Sequence, residues 1–197
     1  MEIQRKQLPV RLLTEEGFNP YGRVISLPEQ EVGKTRTEMR PSRGRTPHSD
    51  SWILSSLDFD GRQGYMAWVR YFRRKLEFHT LESHVQETEV LIPMGGSPCI
   101  VAASSRTEPL DSDVGPDPES VEAFFLDGSK GIAFDRGVWH RHVYPLGDYT
   151  DLAVVLAHHK GAPDSMKVDF LETHNLIFDL VLTGLEHSPD IIGEVVT

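Results

Sequence analysis

Cys99 is the only cysteine in the chain, so no disulfide can form within it. The fold must then rest on a hydrophobic core, and a reducing compartment is expected. Long apolar runs are missing as well. No stretch approaches the roughly 20 residues that a membrane-spanning helix needs. The first seven residues, MEIQRKQ, lack the apolar segment of a secretory signal, so no signal peptide is expected. Positive charge is scarce: 20 Lys and Arg stand against 30 Asp and Glu, for a net charge of −10. Surfaces that bind nucleic acid or anionic membranes need clustered Lys and Arg, so neither partner is expected. A small-molecule ligand and a soluble, cytoplasmic protein are the expectation. Internal repeats are not visible, and residues 51–160 show little helical periodicity.

What is present reads as strands and turns. The chain has 197 residues, 39% of them hydrophobic, which suits one domain with a real core. Residues 7–13 read as a strand, followed by a turn in which Thr14 is a candidate helix N-cap. Residues 24–28 form a second strand, stopped by Pro28. Residues 29–50 form a polar loop with Lys34, Arg36, Arg40, Arg43 and Arg45. Strands are expected over residues 51–60 and 64–72, and again at 99–103, 123–126, 132–134, 139–144 and 151–158. Gly95-Gly96-Ser97-Pro98 and Asp127-Gly128 mark tight turns. Cys99 opens an apolar strand and reads as a small buried hydrophobe. Many short strands between Gly, Pro and Asp turns indicate an all-β sandwich or barrel. Residues 170–185 place Leu171, Asn175, Phe178 and Leu182 near helical spacing, with Gly184 as a candidate cap. Residues 1–160 are read as the barrel domain. Residues 161–197 are read as a helical or extended tail packed on the barrel or on a partner subunit. The exposed edges of such a sheet, with the apolar tail Leu176-Ile177-Phe178 and Leu180-Val181-Leu182, point to a homodimer.

Chemistry concentrates in residues 79–96, HTLESHVQETEVLIPMGG, and in residues 131–142, GIAFDRGVWHRH. Glu82 and His84 are two apart and share a face of a strand, as do His140 and His142. If the two stretches are neighbouring strands of a barrel, Glu82, His84, Glu89, His140 and His142 converge on one interior. Carboxylates mixed with imidazoles suit a divalent metal or an acid/base site. Arg141 alternates with the two histidines and should face outward. His158 and His159 read as surface residues, and His79, His174 and His187 have no evident partners.

The two stretches resemble the paired motifs of cupins. In the first, His84 is followed by four residues, Glu89, six residues and Gly96; in the second, Gly137-Val138-Trp139-His140 supplies the Gly-x-x-His ending. Glu82 stands where the cupin motif has its first histidine. Within cupins, the chain resembles the ureidoglycolate lyase family. The resemblance rests on Glu82-Ser83-His84-Val85, Leu91-Ile92-Pro93-Met94 with Gly96, Ala123-Phe124, Val138-Trp139-His140 and the early Phe18-Asn-Pro-Tyr-Gly-Arg-Val-Ile25. It covers roughly residues 7–160. It implies a homodimeric cupin barrel, a double-stranded β-helix, that cleaves ureidoglycolate to glyoxylate and urea late in purine catabolism. Three features depart from the family pattern: Ser83 for an Arg, Glu89 for a Gln, and the pair Arg141-His142 for small residues or Pro. All three are expected in or beside the pocket.

On this resemblance His84, Glu89 and His140 are the candidate acid/base residues. Arg136, Trp139 and His142 are candidate substrate contacts, Arg136 through its planar fork. Glu82, His84, Glu89 and His140 form a candidate ligand set for Mn, Fe, Ni or Zn. The departures keep two other classes open: a metal-dependent cupin isomerase, cyclase or oxygenase, and a non-catalytic ligand-binding cupin.

Overall fold

The computed structural model describes residues 2–27, 33–35, 37–39, 44–110, 114–157 and 165–183. Among these residues, fifteen strands and two short α-helices, besides a 3-10 turn at Pro118–Ser120, run in the order β1 (Gln4–Leu12), α1 (Glu15–Phe18), β2 (Gly22–Ile25), β3 (Gly44–Arg45), β4 (Asp50–Ser51), β5 (Gly64–Phe72), β6 (Glu77–Phe78), β7 (Thr80–His84), β8 (Glu89–Met94), β9 (Cys99–Ser104), β10 (Glu122–Leu126), β11 (Gly131–Phe134), β12 (Trp139–Pro145), β13 (Tyr149–Ala157), β14 (Ser165–Asp169), α2 (Phe170–His174) and β15 (Leu176–Val181). The all-β expectation holds. An eight-stranded sheet has the order β14-β7-β12-β9-β10-β1-β15-β6, and a five-stranded sheet the order β2-β11-β8-β13-β5. The chain passes from the large sheet to the small one at the corner between β7 and β8, and that corner carries the histidine-rich motif.

Side-chain alternation builds two cores on the two faces of the central strands. On β9, Ile100 and Ala102 enter one cluster, while Cys99, Val101 and Ala103 enter the other. On β10, Ala123 and Phe125 face the first and Phe124 and Leu126 the second. Strands buried on both faces explain the continuous apolar runs at 99–103 and 123–126. Cys99 is fully buried, and burial pushes its thiol up to about 12. A thiol so placed carries almost no thiolate at neutral pH. The native protein is expected to resist aromatic disulfide reagents at pH 8 and to react with one equivalent once unfolded. Rapid labelling of the folded protein would contradict this placement.

Thr14 caps α1 as expected, its Oγ1 accepting the Gly17 N–H at 3.0 Å. Three other expectations need correction. Residues 52–63 form no strand: the N–H and C=O of Asp58 bond Thr88 Oγ1 and the Thr88 N–H, and Asp60 and Gly61 turn the chain at φ 52° and 72°. The Asp58 backbone therefore serves the β7–β8 corner and not a ladder. Second, the helix in residues 170–185 stops after Phe170–His174. Asn175 adopts the left-handed conformation at φ 54° and closes the helix end. From there Leu176, Phe178 and Leu180 alternate into the first core, and β15 pairs in parallel with β1. Third, the apolar tail is consequently not exposed: Phe178 is fully buried and stacks on Phe78 at 5.0 Å. Pro28, Arg36, Arg40, Arg43, His158, His159, Gly184 and His187 lie outside the described residues. Among the described residues, no helix is long and apolar enough to cross a membrane.

Candidate active site

β7 and β12 are antiparallel neighbours, with His140 directly opposite Glu82 and Trp139 opposite Ser83. Opposed residues share a face. Glu82, His84 and His140 therefore point to one side, toward the small sheet. Ser83 and Trp139 point to the other, where Trp139 is buried in the first core and its indole N–H donates to Thr107 Oγ1 at 3.2 Å. The structure thus does not bring Trp139 to the histidines, and the departure at Ser83 also lies on the far face. Glu89 opens β8 on the opposite sheet, registered with Phe134 of β11. It reaches the same point across the barrel interior.

The second motif is tied to the first by its glycine. Gly137 turns at φ 78°, and its N–H donates to the His84 carbonyl at 2.7 Å. This bond sets β12 beginning beside β7, with His140 in place. A bulge follows. Arg141 pairs with Ala102 and Tyr144 with Ile100, so His142 and Val143 together oppose one residue of β9. The bulge turns both His142 and Val143 toward the interior, where simple alternation would allow one of them. Their carbonyls leave the ladder and accept from Arg74 Nη2 at 3.2 and 2.9 Å. Arg141 faces the first core's side, with its Nε 3.4 Å from the Tyr144 hydroxyl.

The result is a compact set of donor atoms. One ligand atom each from Glu82, His84 and His140 lie within 4.8 Å of one another. His142 Nε2 lies 2.5 Å from Glu82 Oε1, and His140 Nε2 lies 2.7 Å from Glu89 Oε2. His84 Nε2 is 3.8 Å from that same Glu89 oxygen. His140 stacks on Phe134 at 4.5 Å, and its Nδ1 lies 3.1 Å from the Val138 carbonyl. A carbonyl only accepts, so Nδ1 carries a hydrogen. The ring nitrogen facing Glu89 is then either protonated or bare. Despite the short contacts, Glu82 Oε1, Glu89 Oε2 and His140 Nε2 are buried and make no well-aligned hydrogen bond among the described residues.

Electrostatics follow from this burial. For Glu89, burial favours the neutral acid, but the charge and contact of His140, with His84 and His142 behind, win and hold it below the usual carboxylate range. For His140, burial favours the neutral ring, yet the Glu89 carboxylate and then Glu82 raise it above an ordinary histidine. Glu82 is likewise opposed by burial and brought down to about 2 by His142, His140 and His84. Both directions favour the charged forms, a carboxylate on Glu89 and an imidazolium on His140.

Arg136 is placed beside this set but is engaged elsewhere. Its Nη1 donates to Asp58 Oδ2 at 2.8 Å and its Nε to the Val85 carbonyl at 3.2 Å. Sequence reasoning missed Glu87, which is 2% exposed and has Oε1 3.7 Å from His84 Nδ1. A carboxylate three residues after a candidate active-site histidine was the one signal available.

The sequence model described as ureidoglycolate lyase matches residues 5–177. A ureidoglycolate lyase of Salmonella typhimurium is 30% identical over 172 residues, covering 87% of this chain and 99% of that protein. One from Escherichia coli O9:H4 is 24% identical over the same 87% and 99%. Among solved structures, RmlC from Streptococcus suis in complex with dTDP-D-xylose overlaps with a TM-score of 0.32 at 16% identity, over 50% of this chain and 45% of that one. That structural likeness is too slight to argue from.

Proposed function

The chain belongs to the ureidoglycolate lyase family, and from that premise we propose that it cleaves ureidoglycolate, or a closely related small hydroxy acid, to glyoxylate and urea. Ureidoglycolate carries a hydroxyl, a carboxylate and a urea nitrogen on one carbon. Cleavage removes the hydroxyl proton, forms the aldehyde C=O, breaks the C–N bond and returns a proton to the departing nitrogen. His84 Nε2 is the base. His140, kept protonated by Glu89, is the acid, and Glu89 carries the countercharge while the two rings exchange their roles. His84 and His142 are more open to solvent than Glu89 and His140, with side-chain exposures of 15% and 34%. They form the mouth through which substrate enters, and His142 is the contact for its carboxylate. The carrying observation is the buried Glu89–His140 pair at 2.7 Å with His84 across from it. Release of glyoxylate and urea by the purified protein tests the reading.

A second reading is metal-assisted, and a specific observation favours it. Buried ligand atoms that crowd together without aligned hydrogen bonds are what a bound cation would satisfy. Glu82, His84 and His140 would hold it, and their mixed oxygen and nitrogen donors suit Mn, Fe, Ni or Zn. Glu89 lies outside that three-residue group and serves it as a neighbour. Such an ion would supply Lewis-acid polarisation of the substrate's oxygens. After dialysis against Mn²⁺ or Zn²⁺, elemental analysis is expected to find one ion per wild-type chain. Glu82→Gln removes a ligand charge and should weaken binding by on the order of a few kcal/mol. Equal metal content in both proteins would contradict this ligand assignment.

The same reading includes a homodimer in the cytoplasm. Its support is β5, the edge strand of the small sheet, and not the buried tail. There Met66, Trp68 and Phe72 stand in one exposed row. Sedimentation at micromolar concentration should give twice the monomer mass; a monomer there would remove this part of the proposal.

A further inference from the structure

The paired groups of the site offer no net positive charge to an anionic substrate. Glu89 with His140, and Glu82 with His142, each set one carboxylate against one imidazole. Neither pair exceeds neutrality, whatever the protonation of its ring. Arg136 and Arg74 are committed: Arg136 donates to Asp58 and to the Val85 carbonyl, and Arg74 to the carbonyls of His142 and Val143. A carboxylate drawn into this site calls for a further cation.

β14 supplies one. It is the edge strand of the large sheet and pairs with β7. Val168, opposite Leu81, is buried in the first core, and Met166, opposite Ser83, packs against that core. Alternation sends Lys167 to the other face, directly opposite Glu82. Cross-strand partners stand about 4.5–5.5 Å apart at Cβ, a span that a lysine stem covers. Lys167 is exposed, and among the described residues its ammonium forms no hydrogen bond or ion pair. Glu82 is turned instead to His142, at the open side of the site. We propose that Lys167 is a specificity-determining residue whose ammonium, beside His142, holds the carboxylate of the substrate at the mouth and so selects small monoanions over their neutral counterparts. The inference rests on the reading of the site as one for a small carboxylate. Lys167 acts by its charge and its three rotatable donors, and no proton moves there.

The test uses two ligands that differ in charge. Oxalurate keeps the ureido and carboxylate groups of ureidoglycolate but has a carbonyl in place of the hydroxyl-bearing carbon, so it cannot undergo the cleavage. Oxaluramide replaces its carboxylate with a neutral amide. Titration calorimetry compares both on wild type, Lys167→Met, Lys167→Arg and Lys167→Glu. Relative to wild type, oxalurate is expected to bind about 10-fold more weakly to Lys167→Met and about 100-fold more weakly to Lys167→Glu, with Lys167→Arg close to wild type. Oxaluramide should bind all four alike. Added salt should weaken oxalurate binding to wild type more than to Lys167→Met. For ureidoglycolate, Lys167→Met should raise KM about 10-fold with kcat nearly unchanged, as for loss of a contact made equally in ground and transition states. Equal oxalurate affinity in wild type and Lys167→Met overturns the proposal. So does an equal loss of both ligands, or no oxalurate binding to wild type. Oxalurate binding that depends on Lys167, without ureidoglycolate turnover, would refute the lyase reading and leave the role of Lys167 supported. Turnover with KM unchanged in Lys167→Met would do the reverse.

Discussion

Replacing His140 with asparagine is expected to lower ureidoglycolate turnover by about 10²–10⁴-fold, the usual contribution of a positioned general acid. The same change should also destabilise the protein, because it strands the Glu89 carboxylate. Glu89 is 3% exposed, and its charge is balanced first by His140 at 2.7 Å. Breaking a buried pair from one side costs about 3–5 kcal/mol, whereas removing both charges is far milder. The double variant His140→Asn with Glu89→Gln should therefore recover most of the lost stability and none of the activity. His84→Asn should lose turnover with little change in melting temperature, since His84 lies at the more open side of the site. Chemical denaturation beside a glyoxylate assay distinguishes these outcomes. A double variant no more stable than the single one would show that the pair is not the coupled unit described above.

The second large effect concerns two turns that touch. Gly96 ends the first motif, in the turn between β8 and β9, and Gly128 lies in the turn between β10 and β11. Gly128 has φ +86°, and a Cβ there would sit 2.3 Å from both the carbonyl carbon and oxygen of Gly96. Both obstacles are backbone, so neither can rotate away. A left-handed conformation costs a side-chain-bearing residue about 1–2 kcal/mol, and overpacking typically adds about 1–3. Gly128→Ala should therefore lose about 2–5 kcal/mol, or roughly 5–15 °C in melting temperature for a chain of this size. Gly95→Ala is the control. Gly95 has a similar φ of +81° but nothing within 4 Å of the added carbon. It should show the conformational cost alone. Equal losses in the two variants would mean that the Gly96–Gly128 contact contributes nothing.

That contact bears on what the sequence could reveal. The spacing from His84 through Glu89 to Gly96, and the Gly137-to-His140 turn, point to the barrel and to the candidate site. Such motifs are local, and each residue type has a physical reason to be where it is. Glu82 with His84 could be placed on one face because period two follows from the backbone. Relations between distant residues were not legible. That Trp139 turns from the site follows from its register with Ser83 across β7. His142 faces inward beside Val143 because of a bulge whose carbonyls are satisfied by Arg74, and nothing local signals that pairing. Arg136 is an available fork as far as the local sequence goes, yet Asp58, far back in the chain, engages it. The tail, read as helical or extended, illustrates a different limit. Leu171, Asn175, Phe178 and Leu182 fit a helical period, while Leu176, Phe178 and Leu180 fit a strand period equally well. Pairing with β1 decided between them, and propensity had no vote in that choice.

The central claim is that His84, Glu89 and His140 together break the C–N bond of ureidoglycolate. The most direct measurement incubates the purified protein with ureidoglycolate and follows glyoxylate, urea and ammonia in parallel, with and without added Mn²⁺ or Zn²⁺. The account predicts glyoxylate and urea in equal amounts, no ammonia, and loss of both products in His140→Asn. Product formation no faster than the uncatalysed reaction under all metal conditions, or equal rates in wild type and His140→Asn, would contradict it.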